Sequence, residues 1–270
     1  MMFAASDALA MNAAVMETFV TDCDECLDDY RQSGTVLLGT YAVDGWSMLC
    51  RDRVANLEDL KGKRVRTSGA LGRLAQAFGA TPVSMSSGDM IEAIARGQID
   101  CILGSVAWLQ AYPIEDSIKS IYELRKGVVT VNLFVMNQNS WKGLSVDKQK
   151  LMLEKMPRAI ARTMIEGYTG DDAKAVALAK KMNIDLVKPE PAAEELFRKF
   201  QEDELKTVVE KAKARGAKDG QKIVDSVLKN YAKWEKALSA FDRNDLEKLS
   251  ENYAKLLWDN VYSKIDPAKL

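Results

Sequence analysis

Between residues 35 and 105 the chain alternates short apolar runs with helix-period segments, and this alternation restricts the fold more than any other feature of the sequence. TVLLGTYA (35–42), GWSMLCR (45–51), KRVRT (63–67), ATPVSM (80–85) and QIDCILGS (98–105) read as strands. Between them, NLEDLKG (56–62) reads as a short helical turn. SGALGRLAQAFG (68–79) and SSGDMIEAIARG (86–97) read as helices, with Ser68 as a cap and Gly79 and Gly97 as stops. Strand and helix in turn predict an α/β architecture. Residues 8–32 read as a helix ending near Gly34. After a β-branched run, GVVTVNLFVMN (127–137), nearly everything reads as helix: 145–182 with a break or kink at Pro157, then 190–215 and 217–263, with IDLVKP (184–189) as a lone strand. Mixed charges at i to i+4 spacing mark solvated faces on the later helices.

With 270 residues, 47% of them hydrophobic, the chain can bury a large core as one domain or two lobes. Its 38 Lys and Arg residues nearly cancel 39 Asp and Glu residues, so no overall field steers it to nucleic acid or to an anionic membrane. The complete lack of histidine removes Ser-His-Asp and Cys-His catalysis and His-based metal sites. An enzyme of this composition would have to rely on carboxylate, lysine or thiol chemistry. No run of 18 apolar residues occurs, and the opening MMFAASDALAMNAAVMETF lacks the basic start and continuous apolar core of a secretion signal.

The cysteines are Cys23, Cys26, Cys50 and Cys101. The first two form a C-x-x-C crowded by Asp22, Asp24, Glu25, Asp28 and Asp29, where a reactive low-pKa thiol is disfavoured. A four-cysteine zinc site would ordinarily show two close pairs, and only one is present. Structural thiols or disulfides remain, the latter requiring an oxidising compartment. Neither metal nor cofactor is implied.

The stretch NLEDLKGKRVRTSG (56–69) places three basic residues in and beside one short strand. Alternation turns Arg64 and Arg66 to one face and Lys63 and Val65 to the other. In open α/β sheets ligands bind beyond the carboxyl ends of strands, which is where Arg66 stands, followed by a helix start that favours anions. Its guanidinium is a planar fork suited to a carboxylate, whether from a bound acid or from a nearby Asp or Glu. Arg64 would then be the solvated member of the pair.

DLKGKRVRTSG, FGATPVSMSSGDMIEAIARGQIDCILGS and VNLFVMNQNSWKGLSVDKQKLM together resemble the solute-binding proteins of tripartite ATP-independent periplasmic (TRAP) transporters, in order from about Val20 to Phe200. The resemblance implies a two-lobed α/β periplasmic-binding-protein-like fold with long crossing helices and a helical C-terminal region. It also implies a cleft closing on a small organic acid, with Arg66 gripping the carboxylate. Arg73, one to two turns into the next helix, would add a second positive group if it faces the cleft and belongs to a solvated face otherwise. Trp46 and Trp108 would wall the cleft or simply fill the core, and Ser68 and Ser105 complete the candidate ligand-binding set. Where many members carry a second Arg, this chain has Trp46, and the polar residue expected near Gly104 is absent. Both departures favour a monocarboxylate, hydroxy acid or keto acid with an apolar or aromatic body.

The resemblance further implies a chain truncated at its N-terminus, without the signal peptide and opening βαβ units, roughly 60 residues or more, leaving unpaired sheet edges. The expected organisation is an incomplete lobe one from 1–43 with 130–170, lobe two from 44–129 with 171–215, and C-terminal helices at 216–270. The expected function is that of a periplasmic binding protein delivering an organic acid to TRAP membrane permease subunits, with no nucleic-acid partner. The alternatives are an enzyme using carboxylate or thiol chemistry in the same cleft, and a ligand-sensing domain of the same fold.

Overall fold

The computed structural model describes residues 3–270 apart from Asp44, Ser68 and Ala70, and apart from the side chains of Arg125 and Lys126. In chain order the helices α1 (Ala8–Glu17) and α2 (Asp24–Gln32) precede the strands β1 (Thr35–Val43), β2 (Trp46–Cys50) and β3 (Arg64–Thr67). Helix α3 (Leu71–Ala77), strand β4 (Thr81–Ser84), helix α4 (Ser87–Ala95), strand β5 (Cys101–Gly104) and the single turn α5 (Trp108–Ala111) follow. Strands β6 (Ser120–Lys126) and β7 (Val129–Asn137) then lead to helices α6 (Gln138–Lys142), α7 (Val146–Ala161) and α8 (Gly170–Lys181). Strand β8 (Asp185–Val187) and helices α9 (Pro191–Ala214), α10 (Gly220–Leu238) and α11 (Leu246–Asn260) complete the described elements.

Two sheets define two lobes. Strands β1 and β7 pair antiparallel in one, and the other has the order β4-β3-β5-β2-β6-β8. In the larger sheet β3 is parallel to β4 and β5, and β6 to β8, while β2 runs antiparallel to β5 and β6. Every residue of β2 and β5 is buried because helices cover both faces. On one face Leu71, Leu74 and Phe78 around α3 pack with Phe197 of α9. On the other, Met90 and Ile94 of α4, Leu109 of α5 and Ala175 of α8 form a second apolar layer. The core of the smaller lobe joins α1, β1 and α7 to Val227 and Trp234 of α10 and Leu249 and Tyr253 of α11, so the helices at 216–270 share the core of lobe one.

Several local readings change. The helix expected over 8–32 is interrupted by a π-helical turn, Thr18–Asp22, and by Cys23, whose backbone is not helical. Pro157 does not break its helix: α7 runs through it, with Leu153, Met156 and Ile160 buried around it, and this packing offsets the lost N–H bond. The irregularity falls further on, in a π-helical segment, Arg162–Thr169. Residues 112–126, for which the sequence reading gives no element, contain β6. Its Ile121 is buried in one apolar layer and its Tyr122 and Leu124 in the other, a two-sided burial hidden in the sequence by neighbouring charged residues.

Both pairs of cysteines are disulfides, Cys23–Cys26 and Cys50–Cys101. The second joins directly opposed residues of the antiparallel β2–β5 pair, both fully buried. On the smaller sheet β7 exposes Val131, Phe134 and Val135.

Candidate functional site

The antiparallel course of β2 brings its first residue to the edge where β3, β5 and β6 end. Ser47 lies opposite Gly104 and Trp46 opposite Lys126 in the ladder, and Ile102 lies beside Arg66. Arg66, Trp46 and the segment after β5 therefore meet at the carboxyl edge of the sheet, next to the crossings from β1 to β2 and from β6 to β7.

Arg64 and Arg66 do share a face, as the alternation requires, and both reach α4, at opposite ends. Arg64 binds the Gly97 carbonyl just past the helix and forms a two-pronged pair with Asp100, its Nη2 2.7 Å from Oδ1 and its Nε 3.0 Å from Oδ2. Arg66 donates from Nε (3.2 Å) and Nη2 (3.0 Å) to the Met85 carbonyl and lies 3.4 Å from the hydroxyl of Ser87, the first residue of α4. Only 4% of Arg66 is exposed, and no carboxylate pairs with it among the described residues. Burial pushes its pKa down, with the Tyr112 phenol partly opposing the shift. A desolvated cation beside the positive end of a nine-residue helix favours an anion on two counts.

The Trp108 ring covers this guanidinium at 5.4 Å from centroid to Cζ, and Trp46 and Tyr112 meet Trp108 edge-to-face at 5.4 and 5.6 Å. Trp108 can lie there because Gly104 has no side chain: a Cβ would come 2.4 Å from the ring. The polar residue looked for near Gly104 has its place filled by an indole. Trp46 is 7% exposed, and its Nε1 has no hydrogen-bond partner among the described residues.

From the smaller lobe, Tyr41 at the end of β1 stacks on Tyr168 of the π-helical segment at 5.5 Å, their hydroxyls 3.3 Å apart. Burial, and next the Tyr41 hydrogen bond, raise the Tyr168 pKa. Tyr168 also lines a partly open cavity of about 210 Å³ between the lobes, with Val43, Ser105, Thr169, Asp172 and Arg243. Ser105 is buried and donates to Asp172 at 3.1 Å. A larger open groove, about 760 Å³, follows α9 past Glu194, Arg198 and Tyr231. It is lined by none of Arg66, Trp46, Trp108 or Tyr168, so size alone does not select it.

The structure thus gathers Arg66, Trp46 and Trp108 and places Ser105 at the neighbouring cavity. Arg73 does not join them. Its guanidinium turns to α9 and makes a two-pronged pair with Glu204, a carboxylate only 6% exposed. Ser68 lies outside the described residues. Sequence reasoning did not find Tyr41, Tyr112 or Tyr168, since isolated tyrosines carry no spacing signal and only folding brings them to the cleft.

The sequence matches the family of bacterial extracellular solute-binding proteins, family 7, over residues 1–212. The chain belongs to that family. A curated relative, the ectoine-binding periplasmic protein TeaA of Halomonas elongata, is 24% identical over 154 residues, 56% of this chain and 45% of the relative, so the match spans less than half the relative's length. Among solved structures, a TRAP periplasmic solute-binding protein from Bordetella bronchiseptica with bound mandelate has a TM-score of 0.72 at 20% identity, covering 87% of this chain and 73% of that one. A marine-metagenome TRAP solute-binding protein specific for aromatic acids, in complex with metahydroxyphenylacetate, has a TM-score of 0.73 at 20% identity over 86% and 73% of the two chains. These likenesses establish the two-lobed α/β fold. The family 7 proteins are extracytoplasmic, and the two disulfides suit an oxidising compartment. The family is one of solute-binding proteins and not of enzymes.

Proposed function

We propose that this protein binds a small organic monocarboxylate with an apolar or aromatic body and presents it to TRAP membrane permease subunits. The ligand carboxylate sits on Arg66 and its body lies against Trp108, Trp46 and Tyr168. The observation that carries this reading is the buried Arg66 guanidinium under an indole face, with no carboxylate of the described residues to pair with it. A compact diacid fits less well, because Arg73, the other candidate cation, is engaged by Glu204, and a second carboxylate left unpaired in a closed cleft costs several kcal/mol. An apolar body instead gains about 25 cal/mol per Å² buried against the rings. The mandelate and aromatic-acid complexes of fold relatives support ligands of this class.

A thermal-shift screen of mono- and dicarboxylates, followed by calorimetry on the hits, tests the reading. Arg66→Ala should weaken binding by about 30-fold to several thousand-fold, the effect of removing one partner of a desolvated charged pair, about 2 to 5 kcal/mol. Arg66→Lys keeps the charge, loses the fork and should also bind poorly. Unchanged affinity in folded Arg66→Ala, or stabilisation by diacids alone, would overturn it.

A further inference from the structure

Trp46 is more than a wall of the cleft. Its side chain is more than nine-tenths buried, yet Nε1, a donor that can never accept, has no hydrogen-bond partner among the described residues. Buried indole N–H groups elsewhere in the chain are satisfied: Trp141 donates to the Pro267 carbonyl at 3.2 Å and Trp234 to the Glu17 carboxylate at 2.6 Å. Leaving such a donor unpaired is costly, and an unsatisfied buried group in a native structure calls for an explanation. Trp46 stands at the carboxyl edge of the sheet, edge-to-face with the Trp108 ring that covers Arg66. The carboxylate anchor and the indole that carries the unpaired donor therefore both touch the Trp108 ring.

From this arrangement we infer that Trp46 Nε1 is a specificity-determining donor: it binds a hydroxyl or keto oxygen carried by the ligand in addition to its carboxylate. The inference rests on the proposed carboxylate-binding function and deepens it. Arg66 supplies the charge term common to all acids, and Trp46 discriminates oxygenated acids from their plain analogues. A site built to bond a substrate oxygen rejects the analogue lacking it more strongly than an apolar pocket does, because the analogue leaves the donor bare.

The test uses matched acids titrated calorimetrically into the full chain: mandelate against phenylacetate, and 3-hydroxybenzoate against benzoate. In at least one pair the oxygenated member should bind the unmutated protein about tenfold more tightly, the size of one hydrogen bond. Trp46→Phe should abolish that preference, lowering the affinity of the oxygenated acid about tenfold more than that of its plain partner. In ¹⁵N-indole spectra of the unmutated protein, the oxygenated acid should shift one of the five indole N–H resonances downfield relative to its plain partner, a readout that holds even if Trp46→Phe does not fold. Equal loss for both members of a pair, plain acids binding as well as oxygenated ones, or no indole shift would overturn the inference and leave the carboxylate site standing. If neither member of either pair binds, the proposed monocarboxylate function fails, and the inference fails with it.

Discussion

Trp108 lies so close over Gly104 that a Cβ on the glycine would come within 2.4 Å of the indole. The glycine ends β5, and the ring above it faces both Arg66 and Trp46. Gly104→Ala should push the ring off the guanidinium, costing about 1 to 3 kcal/mol by overpacking a filled site. Tryptophan emission should change and acid affinity should fall, both measurable in one fluorescence titration. Unchanged emission and affinity would show that the ring has room to turn.

Arg73 belongs to the attachment of α9, since Glu204 on that helix holds it. Glu204→Gln should lower stability in urea by about 1 to 2 kcal/mol, a modest value because Arg73 is 34% exposed and solvent screens the pair. Acid affinity should stay within about twofold of the unmutated protein. A large loss of affinity without a loss of stability would return Arg73 to the ligand.

The Arg64 hydrogen bond holds the Asp100 carboxyl below its ordinary value of 3.8, against the opposing effect of burial. The resulting stabilisation is fully present above 3.8 and is lost as pH falls through the lower folded value. Asp100→Asn should therefore be less stable than the parent at neutral pH and lose less stability between pH 4 and the acid transition. Parallel denaturation curves for parent and variant across that range would refute the assignment.

Cys50 and Cys101 are fully buried, so the native protein should resist dithiothreitol while the unfolded chain is reduced readily. Replacing both by Ala should cost about 4 kcal/mol on the chain-entropy account, against about 2 for the bridge between Cys23 and Cys26, which closes a much shorter loop. Denaturant titrations of the two double variants measure the difference.

The sequence alone determined the α/β alternation and the position of Arg66 at a strand's end, because these depend on side-chain period and local turn chemistry. The shared face of Arg64 and Arg66 was equally legible, since period two is fixed by the strand itself. What the period could not say is which partner each would meet: Asp100 and Gly97 at one end of α4, Met85 and Ser87 at the other. Likewise Arg73 reads either as a second cation of the cleft or as part of a solvated face until α9, more than a hundred residues later, brings Glu204 against it. The reversal of β2 sets Trp46 at the same sheet edge as Arg66, and the π-helical segment 162–169 carries Tyr168 to Tyr41. Tertiary packing alone decided these, because a cleft made of two lobes draws its residues from segments whose proximity has no local cause.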